Sequence, residues 1–531
     1  MGIYLNPSAD RFKEAVQSEI YVDKSGMIAH TNAMICTKQK YICISRPRRF
    51  GKTMSAEMLA AYYVKGTDTS CMFDKLHIAS DESYRTYLNR YNVININIQQ
   101  FLSKTNNVEE MLILLQKRII KELRKVYGDI IEEKETFLSV ALEDIYSEKN
   151  EQFIFIIDEW DCILREKPED VDGRKRYLDF LRDLLKDQPY VALAYMTGIL
   201  PIKKYGTHSA LNMFDEYSML NPGPFAKYVG FTEDEVKPLC EHYGRSYDNM
   251  AVWYDGYSFK VETEGKIVID IPHIYNPKSV VQSLLDRTFA SYWSQTETYE
   301  ALKCYIDMDM DGLQSAVAKL LAGEPVAINP LGFQNDMTTL ETKDDVLTLL
   351  VHLGYLSYNA KDKTVSIPNH EIRETYLISI SGENYASVAD AIKASDKLLT
   401  ATLNGDTNAV SSGLARVHME NSSILKFNDE NSLRCAIALA YYTARRDYTI
   451  IHEMPAGKGY ADLAFIPKPG CAKPAMIIEL KYAASPQEAI RQIKSNNYSL
   501  VLEHYRGNLL LVGVNYNDSK EYDCVIEHSV L

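Results

Sequence analysis

Three short stretches of this sequence gather residue types that act on phosphate. The first is SRPRRFGKT, Ser45 to Thr53, where the apolar run KYICIS breaks into a basic turn ahead of MSAEMLAAYYV. A strand, a turn ending Gly51-Lys52-Thr53 and a helix start make an anion cradle, because backbone N–H groups and the helix dipole face negative charge. There Lys52 reaches the outer phosphates of a nucleotide, and the Thr53 hydroxyl ligates Mg2+. The turn departs from a glycine-rich loop. Arg46 stands five places before Gly51, where a glycine belongs, and Pro47, Arg48, Arg49 and Phe50 fill the interval.

The second stretch, FIFIIDEWD, is an apolar run that ends in Asp158-Glu159. Two adjacent acids at the end of a buried strand are costly without a cation to meet them. Asp158 holds Mg2+ through water in this reading, and Glu159 polarises the attacking water. The following strand, YVALAYM, runs into Thr197-Gly198, the position of a polar sensor facing a γ-phosphate. The third stretch lies near the C-terminus, where Asp462 in GKGYADLAF precedes IIELK, Glu479-Leu480-Lys481, by seventeen residues. Glu479 and Lys481 stand two apart on a strand and leave the same face. Clustered carboxylates hold a divalent metal for phosphodiester hydrolysis, and a lysine beside them orients or deprotonates water. Asp462 reaches Glu479 only if ADLAF and MIIELK pair as neighbouring strands, which the turn PKPGCAKP permits.

Those residues need elements to hold them. KYICIS, NVININI (92–98), FIFIID (153–158) and YVALAYM (190–196) read as strands, separated by helical patterns near 107–126, 133–147 and 174–186. That alternation predicts a parallel sheet covered on both faces. Residues 206–330 read as a mainly helical extension. Residues 331–380 have the helix-plus-hairpin outline of a winged-helix-like module, which packs rather than reads DNA because DDVLTLLVHLGYL carries no Lys or Arg. A helical connector over 381–424 leads to a C-terminal α/β unit over 425–531, and the ATPase-like part occupies 1–205.

Composition bounds the rest. The chain has 531 residues, too many for one core, with 46% apolar and 24% charged residues, which argues against long disorder. A net charge of −14 rules out a global basic field for nucleic acid, although residues 401–531 hold 13 Lys and Arg against 14 Asp and Glu. The 9 cysteines are dispersed without zinc-ligand spacing, as in a reduced, cytoplasmic protein. The N-terminus shows no signal peptide, and no apolar run approaches a membrane span. The aromatic clusters WYDGYSF and YWSQTETY belong to ordinary core and interface use, and His352 and His370 suggest no metal.

With these residues in view, YVDKSGMI, RPRRFGKT, IIDEWD, MTGILPIKKYG, YDGYSF and YNPKSVV resemble the AAA-ATPase-like domain of many bacterial proteins of poorly defined function. The resemblance covers roughly residues 3–330 and makes Arg46 a feature of the family rather than damage. Which of Arg46, Arg48 and Arg49 touches phosphate, and which pairs with the Asp161 region or a neighbouring subunit, stays open. Asp161 is a structural or interdomain acid in this reading, rather than a second metal ligand. The Asp462…Glu479-x-Lys481 pattern looks like the PD-(D/E)XK nuclease superfamily. That resemblance assigns Glu430 and Glu453 as accessory acids and Gln492 as the accessory glutamine.

The expected protein is therefore α/β, with an N-terminal P-loop parallel-sheet ATPase domain, a helical and winged-helix-like middle, and a C-terminal PD-(D/E)XK nuclease-like domain. Its nucleotide-binding residues are Arg48, Arg49, Phe50, Gly51, Lys52, Thr53, Asp158 and Thr197. Its catalytic residues are Glu159, Asp462, Glu479, Lys481 and Gln492, and its metal ligands are Thr53, Asp158, Asp462 and Glu479. The implied cofactors are ATP and Mg2+, with Mn2+ as an alternative at the nuclease site, and the implied partner is nucleic acid, DNA foremost. A homo-oligomer fits arginines acting across subunits. Such chemistry suits defence or repair. The competing reading is an ATP-dependent regulatory switch whose nuclease-like domain binds nucleic acid or protein without cleaving it.

Overall fold

The computed structural model describes residues 2–202, 211–263, 266–293, 299–308, 310–333, 340–380, 385–425, 430–456, 459–468, 471–495, 502, 505, 508–517 and 521–529. The chain forms two compact units, Met1–Thr296 with Ala327–Ile372, and Glu297–Val326 with Arg373–Leu531.

The first unit is built on a five-stranded sheet of β1 (Tyr41–Ser45), β2 (Asn92–Asn97), β3 (Phe153–Asp158), β4 (Val191–Gly198) and β5 (Asp215–Tyr217), in the order β2-β3-β4-β1-β5. All four pairings are parallel. Every residue of β1, β3 and β4 is buried, as a sheet covered on both faces requires. The covering helices include α1 (Lys52–Tyr63), α2 (Val108–Tyr127), α3 (Leu138–Lys149) and α5 (Val171–Leu185), with the short α4 (Cys162–Glu166) following β3. In α2, Asn107 accepts from the Glu110 N–H at the N-cap, and Met111, Leu115, Ile119 and Leu123 line the buried stripe. Because β4 runs between β1 and β3, the turn after β1 and the acids after β3 flank the end of β4. That order makes one site from three strand ends.

The part expected to be mainly helical holds strands too. β6 (Phe231–Thr232), β7 (Tyr257–Thr263) and β8 (Lys266–Tyr275) form an antiparallel sheet in the order β6-β8-β7. Apolar residues at Ile267, Ile269 and Ile271 follow a strand period of two, which the aromatic content had obscured. Further on, β9 (Val326–Ala327) joins β10 (Ser357–Asn359) and β11 (Thr364–Ser366) in the order β10-β11-β9. The helix before that hairpin, α6 (Lys343–Leu353), starts with a Thr342–Asp345 capping box and ends at Gly354, whose φ of 88° needs glycine.

The second unit carries the helices α7 (Ala386–Leu403), α8 (Thr407–Leu425) and α9 (Glu430–Ala440) and a mixed sheet. Its strands β12 (Tyr448–Ala456), β13 (Gly459–Pro467), β14 (Ala475–Tyr482), β15 (Leu509–Tyr516) and β16 (Tyr522–Ser529) lie in sequence order. Only β14 and β15 pair in parallel, and α10 (Pro486–Ser495) lies between them in the chain. Gly513 of β15 admits the start of that helix, since a Cβ there would meet the Pro486 carbonyl oxygen at 2.2 Å. Among the described residues no helix is long and apolar enough to cross a membrane.

Candidate functional site

At the end of β1 the chain turns through Arg49, with φ of 67°, and Gly51, with φ of 89°, into α1. A Cβ on Gly51 would meet nothing within 4 Å, so backbone conformation rather than crowding demands glycine. The buried Lys52 ammonium donates to the Arg46 and Pro47 carbonyls at 2.9 and 2.8 Å, so it closes the loop on itself. Burial lowers its pKa, opposed by the charges of Glu159, Asp161 and Asp158.

Asp158 is held from three directions. Thr53 Oγ1 donates to Oδ2 at 2.9 Å, Asn97 Nδ2 donates to the same oxygen at 3.1 Å, and Thr197 Oγ1 makes a short bond to Oδ1. The strand order thus brings Thr53, Thr197 and Asp158 together. A hydroxyl and a carboxylate in contact are hard oxygen donors of the kind Mg2+ takes beside a nucleotide, so this donor set fits the ion. Glu159, one residue on, has φ of 54° and pairs through Oε2 with Arg165 Nη2 at 2.6 Å. Burial raises its pKa, opposed first by Lys52.

The loop arginines divide. Arg46 is wholly buried, donating through Nη1 to the Ser45 and Tyr217 carbonyls, with its guanidinium 4.9 Å from the Phe259 ring centre. Desolvation depresses its pKa to about 9. Arg49 donates to the Tyr292 carbonyl. Arg48 and Arg49 both border a cavity of about 760 Å3, together with Phe50, Gly51, Lys52, Thr53 and Glu159. Phe50 itself packs edge-on against Tyr257 at 5.3 Å. Part of its wall is apolar, with Ile20, Val22, Phe231, Val281 and Leu285. Sequence reasoning missed that wall. Its only signal is the apolar character of IYV around Tyr21, because segments more than 200 residues apart build it.

Asp161 accepts from Arg165 Nε at 3.0 Å and from the Ile199 and Leu200 N–H groups at 3.1 and 2.9 Å. It therefore secures the turn after β4. Gly198 lies beneath it, where a Cβ would meet Trp160 Nε1 at 2.6 Å and Asp161 Oδ1 at 2.8 Å.

In the second unit, β13 and β14 pair antiparallel with Leu463 opposite Ile478 and Ala464 opposite Ile477. Carried one residue further, that register sets Asp462 across from Glu479. On the other side, His452↔Leu463 and Met454↔Ala461 set Glu453 across from Asp462. Asp462 Oδ2 accepts from the Leu480 N–H at 2.8 Å. Glu479 is 2% exposed. Its Oε1 accepts from Lys481 Nζ at 3.3 Å and, in a short bond, from Gln492 Nε2 of α10. Its Oε2 has no hydrogen-bond partner among the described residues. Burial, and then Asp462, push the Glu479 carboxyl up to about 7.

Of the two acids assigned as accessory, only the Glu453 side chain is among the described residues. Glu453 has φ of 47°, and its largely exposed side chain pairs with Arg434 of α9. Glu430 opens α9, and its side chain lies outside the described residues. Among the described residues no group of three or more His, Cys, Asp and Glu is assembled to hold a metal. Two facing carboxylates, with one buried oxygen that has no partner among the described residues, are nonetheless hard donors of the kind a divalent ion takes.

Known proteins resemble both units. Residues 9–207 match the AAA-ATPase-like family, described as a predicted AAA-ATPase, and residues 428–525 match the PD-(D/E)XK nuclease superfamily. An uncharacterized protein from the vnfD 5' region of Azotobacter chroococcum mcd 1 is 24% identical over 289 residues, 52% of this chain. The match spans about half of that relative's length, 51%. Among solved structures, the Walker-type ATPase PABY2304 of Pyrococcus abyssi is 13% identical, covering 66% of this chain and 94% of its own at a TM-score of 0.32. The ORC2 protein of Aeropyrum pernix, in ADPNP–ADP complexes, is 10% identical, covering 69% and 98% at a TM-score of 0.23.

Proposed function

We propose that this chain, which joins a predicted AAA-ATPase domain to a PD-(D/E)XK nuclease superfamily domain, binds and hydrolyses ATP in the first and thereby controls metal-dependent cleavage of DNA by the second. The observation that carries the cleavage reading is Glu479: a buried acid across from Asp462, with Lys481 and Gln492 on one oxygen and no partner among the described residues on the other. A buried, half-satisfied carboxylate beside a second acid supports a functional site, because its desolvation goes uncompensated.

In this reading the cavity beside the β1 turn takes ATP. Gly51, Lys52 and Thr53 receive the phosphates, with Arg48 and Arg49 at the rim and Phe50 supporting the turn. Thr53 and Asp158 hold Mg2+, Thr197 steadies Asp158, and Glu159 orients water. Asp462 and Glu479 hold Mg2+ or Mn2+ in the second unit. A bound divalent ion acidifies water and neutralises charge on the phosphate. Lys481 adds positive charge beside the scissile phosphate, and Gln492 keeps Glu479 oriented by donating to Oε1. Glu453 and Glu430 act as accessory acids. Chemistry of this kind suits defence or repair.

The full-length protein, given DNA and Mg2+ or Mn2+, tests the reading. Cleavage should vanish with EDTA and with Asp462→Asn or Lys481→Ala, and Lys52→Ala should remove its response to ATP. Cleavage indifferent to Asp462 and Lys481 would reject the nuclease and leave the domain a binding module.

A further inference from the structure

Arg165 stands outside the roles given so far, yet it joins the two acids just beyond β3. Its guanidinium gives Nη2 to Glu159 at 2.6 Å and Nε to Asp161 at 3.0 Å, with only 9% of the side chain exposed. Asp161 is wholly buried and is fixed by the Ile199 and Leu200 N–H groups. The backbone around it is anchored too: the Trp160 N–H donates to the Thr197 carbonyl at 3.0 Å, and Tyr177 OH donates to the Trp160 carbonyl at 2.7 Å. Arg165 therefore hangs from a rigid point. What it holds at its other end is Glu159. Glu159 sits in the left-handed region, which a non-glycine residue occupies only when its surroundings impose it, and it reaches the cavity wall. Arg165 is not among the residues lining that cavity.

We infer that Arg165 is a positioning residue for ATP hydrolysis: it holds the Glu159 carboxylate where water must be oriented and ties that acid to the turn after β4. The inference rests on the ATPase reading above. A planar fork serving two carboxylates at once does what a lysine cannot, since an ammonium on a flexible stem keeps charge but not the shared geometry. Arg165 acts through Glu159, so its loss should leave ATP binding in place and slow the chemical step.

The experiment measures Mg-ATP hydrolysis and ATP affinity for the full chain and its Arg165→Lys, Arg165→Met, Glu159→Gln and Lys52→Ala variants. Misplacing a group that orients a reactant costs on the order of 10- to 100-fold, so kcat should fall by about that factor in both Arg165 variants while KM moves less than about twofold. Arg165→Lys should lose less than Arg165→Met. In a Glu159→Gln background, Arg165→Lys should change the single-turnover rate by less than about twofold, because the group it positions is gone. If Arg165→Met does not fold, Arg165→Lys and the double variant decide. An unchanged or raised kcat, a KM rising in step with the fall in kcat, or a full second loss in the Glu159→Gln background would overturn the inference while the ATPase reading stands. A wild-type chain that hydrolyses no more ATP than Lys52→Ala would overturn both.

Discussion

The two sites place acids at strand ends, and they treat them oppositely. Asp158 at the end of β3 has both oxygens occupied, by Thr53, Asn97 and Thr197. Glu479 in β14 has one oxygen crowded by donors and the other with no partner among the described residues. A carboxylate satisfied by hydroxyl and amide donors holds its shape before any ligand arrives. One left half-satisfied in a dry site has its charge disfavoured until a cation comes. The contrast is that protein hydrogen bonds already hold the acid of the first site, whereas the second, in the function proposed above, would draw on an ion to satisfy its acid.

Removing the acid gives the largest effect. Glu479→Gln should cut DNA cleavage by about 10³-fold, a loss typical of groups that meet charge developing in the transition state. A nuclease indifferent to this change would show that the half-satisfied oxygen is not the working one. In the other unit, Lys52→Ala should weaken ATP binding by about 100-fold, read by fluorescence titration, since that ammonium already closes the turn after β1 on itself. Unaltered affinity would mean that the turn is preformed for something other than phosphate.

Mg2+ should separate the sites in the absence of nucleotide. Saturating ion at about 100 times its Kd stabilises the fold that binds it by ~2.7 kcal/mol. The second unit should therefore melt higher with Mg2+ at pH 8, and Glu479→Gln should erase the gain. The metal-free protein supplies the sign. The Glu479 carboxyl lies near 7 against 4.5 for the free group, so between those values the fold holds a proton that the unfolded chain has released. Stability from this group is present below about 4.5 and is lost as pH rises through 7.

Glu371 sharpens the comparison, because it is a buried acid supplied with donors on both oxygens. Tyr292 and Trp293 donate N–H groups to Oε1 at 2.7 and 2.8 Å, Ser279 donates to Oε2 at 2.9 Å, and burial still lifts the carboxyl to about 7. It should show the same loss of stability with rising pH as Glu479, without a response to metal. Glu371→Gln should raise stability at pH 8 by ~1–3 kcal/mol and flatten the pH profile of the first unit. A raised acid alone does not point to an ion. What sets Glu479 apart is an oxygen with no partner among the described residues and a second carboxylate across from it.

Much of this was legible from local pattern. GKT after an apolar strand, Asp-Glu at the end of another, and Glu-x-Lys after an oily run each state a local chemistry, and their strands and helices fell where the periodicities pointed. The pairing of Asp462 with Glu479 required only that two strands joined by a short turn be neighbours, and they are. The strands β7 and β8 were harder to see, since aromatic residues serve strands and helices alike. The apolar wall of the cavity was not visible at all, because Ile20, Phe231 and Val281 meet only once the chain has folded.

By itself the sequence determined which atoms stand beside each strand end, because residue order alone sets the side chains next to an apolar run. Only the tertiary structure decided what those atoms do with one another. Arg46, whose role the sequence left open, is spent on carbonyls and an aromatic ring, while Arg165, unremarked in the sequence, holds two acids together. The reason is physical: a buried charge takes its meaning from its partners, and partners distant in the chain are chosen by packing.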